Sequence, residues 1–218
     1  MFQSLPTLRI FDEGHLSEIT RGLLGKVAPK AVGHKSTRQA EILDALAPVM
    51  TGLLARYAID SDLRIAHFLA QACHETDGFC TTVEYWGPSR AQLGYEGRAN
   101  LGNILPGDGK RFMGRGIFQL TGRSNYARMG AKLGFDLVGN PQLAANPATS
   151  LVIACEYWKE RRINPLADAD DIDRVTRKIN GGLNGIEDRR ACLSRAKMAL
   201  AHAGIAAASK PKSRLAPG

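Results

Sequence analysis

The chain has 218 residues, 44% of them hydrophobic and 23% charged, and carries a net charge of +8. This composition allows a sizeable core and excludes a collagen-like or low-complexity chain, and no apolar run approaches the roughly 18 to 20 residues of a membrane span. The positive charge favours an anionic partner such as a bacterial cell wall, an acidic membrane or a nucleic acid. Nucleic-acid binding is disfavoured because aromatic residues make up only 6% and the basic residues form no single stripe.

The first part of the chain predicts an arm and then two helices. Residues 1–35 lack a strong hydrophobic period, and we expect an N-terminal arm with a short helix around 16–24. Ser36 and Gln39 match an S-x-x-Q capping box, which predicts the start of an amphipathic helix. We expect a kink in that helix near Pro48. Ser61 then predicts the N-cap of a second helix that runs to about residue 75.

Turn residues crowd the segment between residues 81 and 111, which predicts loop or short strand. Caps and apolar periodicity predict three further helices: one opened by Asn146 and Pro147, one from Ile172 to Ile179, and one from about Glu187 to Ala203. Strand signals are few. The sequence therefore predicts a mainly α protein of about seven to ten helices with little or no β, as a single domain over 1–208 in two lobes around a cleft. A disordered basic tail is expected at 209–218.

Four cysteines lie in apolar or small-residue settings, which favours buried thiols: Cys73, Cys80, Cys155 and Cys192. Cys73, His74 and Cys80 could be imagined as zinc ligands, but the sequence has no CxxC, no second ligand pair at the usual spacing and no HExxH. We therefore expect no metal and no cofactor.

Two glutamates carry the first chemical hypothesis. Glu75 closes a predicted helix with apolar preceding turns, and the negative end of the helix dipole favours the protonated form that a general acid needs. Glu84 follows nine residues later and can face Glu75 if the chain turns at Asp77 and Gly78. Two carboxyls about 6.5–9.5 Å apart with a water between them perform inverting glycoside hydrolysis. Taken singly, either glutamate could instead be an ordinary solvated carboxylate.

Five motifs and one spacing together resemble glycoside hydrolase family 19, over residues 60–200. They are HET at 74–76 with Glu84 nine residues after Glu75, YEGRANLGN at 95–103, PGDG at 106–109, GRGIFQLTGRSNY at 114–126 and INGGLNGIEDRR at 179–190. The short-loop form most resembles the bacterial and bacteriophage branch, which includes cell-wall-degrading endolysins. The resemblance implies a lysozyme-like fold and hydrolysis of β-1,4 bonds between amino sugars.

The resemblance also implies roles for individual residues. Glu75 matches the general acid, Glu84 the general base, and Thr121 a hydroxyl that helps to hold the attacking water. Side chains expected at the substrate are His74, Gln119, Asn125, Asn180, Arg115 and Tyr85. Several have structural alternatives, because a histidine can serve only to hydrogen-bond, the amides of Gln119 and Asn125 can satisfy turn backbone, and Arg115 or Arg189 can form structural ion pairs.

Three functions follow as hypotheses. The first is an endolysin that cleaves peptidoglycan as a muramidase, because the positive charge suits an anionic wall. Such an enzyme, without a signal peptide, is made in the host cytoplasm and reaches the cell wall after holin-type release. The second is a chitinase; Phe112-Met113 and Ser124 depart from the aromatic pattern of plant members, although Tyr85, Trp86 and Tyr95 can supply a stacking face. The third is a non-catalytic glycan-binding protein. We expect a monomer that binds peptidoglycan or chitin, with weak attraction to an anionic envelope and no nucleic acid.

Overall fold

The computed structural model describes residues 18–208, with side chains through residue 204. Within that range the chain forms ten α-helices and two 3-10 turns, without a named strand, which confirms the mainly α prediction. The helices are α1 (Arg21–Val27), α2 (His34–Arg56), α3 (Asp62–Glu75), α4 (Arg90–Leu93), α5 (Asp108–Arg111), α6 (Arg123–Leu133), α7 (Pro147–Glu160), α8 (Asn164–Asp168), α9 (Ile172–Asn180) and α10 (Ile186–Ala208). The 3-10 turns are Ala99–Leu101 and Pro141–Ala145. The predicted tail at 209–218 and most of the predicted arm lie outside the described residues.

Three of the predicted helix boundaries are confirmed. The Ser61 hydroxyl accepts from the backbone N–H of Arg64 at 3.3 Å and caps α3. The Asn146 side chain caps α7 in the same way, with Pro147 as the first helical residue. Gly181 ends α9 in the left-handed conformation, at φ 82°, where glycine carries no Cβ penalty.

The capping box predicted at Ser36 is wrong. Helix α2 begins at His34 after Gly33, so Ser36 lies inside its first turn and its hydroxyl donates to the Gly33 carbonyl. The Gln39 side chain instead contacts the preceding loop and the end of α3, since its Nε2 donates to the carbonyls of Pro29 and Gly78. Gln39 therefore ties the loop before α2 to the turn that follows Glu75.

The turn-rich segment between residues 81 and 111 contains α4, one 3-10 turn and α5 in place of strands. Its only regular β pairing among the described residues consists of isolated bridges from Arg115 to Val83 and to Leu120. Helix α6 follows, and sequence analysis did not identify it. Its buried face is narrow, with Tyr126, Met129 and Gly130 as its buried residues.

Two hydrophobic cores divide the molecule. The larger core is built mainly from α1, α2, α3, α7 and α10, and includes Phe68 and Trp158. The smaller core contains Phe112, Tyr126 and Met129. Helix α7 contributes to both, because Leu151, Ala154, Cys155 and Trp158 face the larger core while Ile153 faces the smaller one. The segment 79–121 contributes to both cores, with Phe79 and Ile117 in the larger one and Phe112 and Leu120 in the smaller one.

All four cysteines are buried free thiols, as predicted. The sulfurs of Cys73 on α3 and Cys192 on α10 lie 3.1 Å apart. Among residues 18–208, no group of three or more histidine, cysteine, aspartate or glutamate side chains is placed to hold a metal ion. No helix in the same range is both long and apolar enough to cross a bilayer.

Candidate active site

Glu75 is the last residue of α3 and is held by the start of α10. Its Oε1 accepts a hydrogen bond of 2.6 Å from Nη2 of Arg189, which is buried. The Arg189 guanidinium also donates from Nη1 to the Gln71 side chain, one turn before Glu75, and from Nε to the Asn184 carbonyl at 3.2 Å. The orientation of Glu75 is therefore set by a cation 114 residues further along the chain.

His74 holds the same two helix ends together. Its Nδ1 lies 2.7 Å from Oδ2 of Asp188, and its ring packs on the backbone of Gly185. A Cβ at Gly185 would stand 2.2 Å from His74 Cε1, and this glycine has φ +71°. The contact explains why a glycine precedes α10. The hydrogen-bonding role that the sequence left open for His74 is thus present, and any contact with substrate stays a prediction.

Glu84 lies in a cradle of three hydrogen-bond donors. Its Oε1 accepts from Gln92 Nε2 at 2.9 Å and from the Tyr95 hydroxyl at 3.3 Å. Its Oε2 accepts from the backbone N–H of Gly114 at 2.8 Å. Burial raises the pKa of Tyr95, and the charge of Glu84 adds to that rise, so the phenol keeps its proton as a donor. The carboxylate is oriented by two chain segments, residues 92–95 and the backbone at Gly114.

The turn after Gly114 carries the predicted polar contacts to sugar. Gln119 has φ +48°, and its Nε2 donates to the Gly116 carbonyl at 3.0 Å. The Thr121 hydroxyl donates to the Gln119 carbonyl at 2.9 Å, and Asn125 Nδ2 donates to the Thr121 carbonyl at 2.8 Å. Each side chain thus donates one hydrogen bond to the backbone of the turn. For Gln119 and Asn125, this is the structural role that the sequence analysis gave as an alternative to substrate binding. Each amide keeps a carbonyl oxygen and a second N–H for a ligand, and the hydroxyl keeps its lone pairs.

The turn that contains Gln119 packs against α3 and α7. The Phe118 ring lies 5.3 Å from that of Phe68 on α3 and 5.9 Å from that of Tyr157 on α7. Burial raises the pKa of Tyr157, and the negative charge of Glu75 adds to the rise. Gly114, at the start of the same turn, donates its backbone N–H to Glu84.

Tyr85 and Asn180 lie at exposed positions around these groups. The Tyr85 ring is 61% exposed, and its hydroxyl donates to Asp77 just after Glu75. Asn180 is the exposed last residue of α9, and the carbonyl of its neighbour Ile179 accepts from the Tyr157 hydroxyl at 3.0 Å. Both side chains are exposed, and their contact with substrate stays a prediction.

Arg115 is placed differently from its prediction as a substrate contact. It is only 5% exposed, and its Nη1 donates to the Arg111 carbonyl and to the Tyr126 hydroxyl, at the smaller core. Neither glutamate is among these contacts. The alternating direction of side chains along an extended segment explains this, because Gly114 faces Glu84 and its neighbour faces the other way.

Sequence reasoning did not identify Gln92. This residue is 5% exposed, and its side chain joins Glu84 to the loop at 85–89. Its sequence signal was the S-x-x-Q pattern from Ser89, which is a true capping box at α4.

Comparison with known proteins gives a consistent result. Residues 50–173 match the glycoside hydrolase family 19 domain described as chitinase class I. A glycosyl hydrolase family 19 domain-containing protein of Haemophilus influenzae is 32% identical over 202 residues, covering 80% of this chain and 92% of that protein. An endochitinase of Arabidopsis thaliana is 29% identical over 167 residues, and the match spans only 59% of its length. The crystal structure of chitinase C from Streptomyces griseus has the same fold, with a TM-score of 0.62, 21% identity, and coverage of 85% of this chain and 77% of that one.

Proposed function

Because the chain belongs to glycoside hydrolase family 19, we propose that it hydrolyses β-1,4 bonds between N-acetylated amino sugars, with Glu75 as general acid and Glu84 as general base. The observation that carries this proposal is the contrast between the two carboxyl groups. Glu84 is surrounded by three donors, whereas Glu75 stands at a helix C-terminus with one arginine. Two carboxyls in different settings can take opposite roles in proton transfer.

The reaction would proceed in one displacement. Glu75 gives its proton to the glycosidic oxygen as the bond from that oxygen to the anomeric carbon breaks. On the opposite face of the ring, a water oxygen bonds to the anomeric carbon and passes a proton to Glu84. The Thr121 hydroxyl lies on the same turn as Gly114, which holds Glu84, and is available to orient that water. The product therefore has the inverted anomeric configuration.

Peptidoglycan is the substrate that we propose first, and chitin is the alternative. The net charge of +8 favours an anionic glycan, since a positively charged enzyme is attracted to the carboxylates of a cell wall. The similarity to proteins named as chitinases and endochitinases favours chitin. Exposed amides and hydroxyls at residues 119, 121, 125 and 180 suit the N-acetyl and hydroxyl groups that both polymers carry. We place the activity at the wall, after release from the cytoplasm through a membrane pore, and expect a monomer.

The test measures reducing-end release from purified peptidoglycan and from colloidal chitin in parallel, with mass spectrometry of the products. Glu75→Gln and Glu84→Gln keep side-chain size and remove the proton donor and the base, so each is expected to lower turnover by about 10² to 10⁴-fold. Glu41→Gln, an exposed change on α2, is the matched control and should leave turnover unchanged.

Each outcome has a defined meaning. Peptidoglycan products with muramic acid at the new reducing end identify a muramidase, and cleavage of chitin alone identifies a chitinase. Early-time NMR of a soluble oligosaccharide should show the inverted anomer. Turnover that survives in both glutamine variants, or activity on neither polymer, would refute the catalytic assignment and favour a glycan-binding protein.

A further inference from the structure

Arg115 is a buried cation whose charge is not matched by the protein. The residue is 5% exposed, and its Nε is buried without a hydrogen-bond partner. Its Nη1 contacts are all neutral oxygens, at Arg111, Met113 and Tyr126. Within residues 18–208, no carboxylate forms a salt bridge with it. Burying an unpaired charge is costly, so such a group normally has a counter-ion.

A second buried arginine, Arg189, is paired with a carboxylate. Arg189 is fully buried and pairs with Glu75 at 2.6 Å. The half-buried Arg123, close to Arg115 in sequence, pairs in the same way with the buried Asp108. Arg115 thus differs from both in having a guanidinium that only neutral protein groups contact.

Arg115 also lines a cavity of about 500 Å³. We call it the Arg115 cavity. Besides Arg115, its lining includes the exposed basic side chains of Lys110 and Arg111 and the amide of Gln142. The lining holds three cations and no carboxylate. The volume lies within the range of small-molecule sites.

Two carboxylates close in sequence to the cavity wall accept hydrogen bonds from backbone N–H groups. Glu96 accepts from the N–H groups of Gly107 and Gly109, and Asp136 accepts from that of Gly139. Gly107 and Gly139 contribute to the wall of the cavity, but neither carboxylate lines it. Both lower the local positive potential at the edge without providing a partner for Arg115.

We propose that the Arg115 cavity binds an oxyanion, the phosphate or carboxylate group of a small ligand. Arg115 would donate to such a group from Nη2, since Nη1 is engaged with protein oxygens and Nε is buried, and Lys110 and Arg111 would add charge from the rim. The site is separate from the carboxylate pair, because the groups that hold Glu84 come from Gln92, Tyr95 and Gly114, none of which lines the cavity. The inference does not depend on the proposed glycosidase activity.

The test is isothermal titration calorimetry of the full chain at low salt with two probes, inorganic phosphate and N-acetylmuramyl dipeptide, which carries carboxylates. Because a change at Arg115 itself can unfold the smaller core, the variant is Lys110→Gln with Arg111→Gln. The matched control, Arg38→Gln with Arg56→Gln, removes the same charge from exposed positions on α2. We expect the rim variant to bind about tenfold more weakly and the control to bind as the wild type does. Glu75→Gln should also bind as the wild type does.

The two probes separate the sources of the anion. Binding of phosphate alone indicates a phosphate-bearing ligand, and tighter binding of the muramyl dipeptide indicates a cell-wall carboxylate. The proposal is overturned if neither probe binds, if the rim and control variants lose the same affinity, or if Glu75→Gln abolishes binding and so locates the ligand at the carboxylate pair.

Discussion

Gln92 is buried beside Glu84, and its replacement by leucine tests whether the proposed base depends on the loop that surrounds it. The Gln92 side chain makes four hydrogen bonds. Its Nε2 donates to Glu84 at 2.9 Å and to the Tyr85 carbonyl at 2.8 Å, and its Oε1 accepts from the N–H groups of Gly87 and Ser89. Leucine has a similar volume and forms none of these bonds.

The expected cost follows from those contacts. A hydrogen bond contributes about 1 kcal/mol net, and the leucine variant loses four of them. Water can replace two of these bonds, because the N–H groups that make them are exposed. The free energy of unfolding should therefore fall by about 2–4 kcal/mol. Glu84 also loses the donor that fixes Oε1. A misplacement of the base by about 1 Å can cost about 10²-fold in rate, so kcat should fall about 10- to 100-fold with a smaller change in KM.

The assay combines urea denaturation with kcat and KM on a soluble oligosaccharide. Gln92→Glu is the companion variant, because it keeps the acceptor for Gly87 and Ser89 and opposes Glu84 with a like charge. That variant should move the acid limb of the pH–rate profile to higher pH, which a loss of stability alone would not do. Wild-type kcat in the leucine variant, together with an unshifted profile in Gln92→Glu, would refute the positioning role.

The remaining predictions concern a glycine and a buried histidine. Gly185→Ala should lower the free energy of unfolding by about 2–4 kcal/mol and reduce activity, because the new Cβ meets the His74 ring at a positive φ. Gly181→Ala, at a positive φ in open space, should cost about 1 kcal/mol, and equal costs would refute the ring contact. Burial lowers the pKa of His67, so below about pH 6.5 the unfolded chain binds a proton that the folded chain does not, and stability falls as pH drops. Urea denaturation at pH 7.5 and 5.5 gives the change in the free energy of unfolding per pH unit. That change should be smaller in His67→Gln than in the wild type, by at most about 1.4 kcal/mol per pH unit, and in His202→Gln it should equal that of the wild type.

Local sequence signals predicted the helix boundaries correctly where a single capping residue determines where a helix begins or ends. Ser61, Asn146 and Gly181 act through their own side chain or backbone freedom, and each helix begins or ends where they indicate. The capping box predicted at Ser36 was wrong because a serine followed three residues later by a glutamine also occurs here inside the first turn of a helix. Helix α6 was missed because only a narrow stripe of it is apolar, and its stability comes from packing on the smaller core.

The contacts around the candidate site could not be predicted from the sequence. The family pattern identified Glu75 and Glu84 as candidates, and their roles remain to be measured. The partners of these glutamates come from distant segments, and no local rule connects them. Arg189 and Arg115 looked equivalent in sequence, yet one faces Glu75 and the other faces the smaller core. Only the packing of α10 against α3 distinguishes them.

Helix α10 is therefore part of the site as well as of the core. Its first turn supplies Asp188 to His74 and Arg189 to Glu75, and one turn later Cys192 lies against Cys73. These contacts all join the last turns of α3 to residues beyond 173, where the family match ends. The position of Glu75 thus depends on a segment outside the matched region. Because an unpaired Arg189 would be a buried charge, the docking of α10 and the placement of Glu75 stabilise each other.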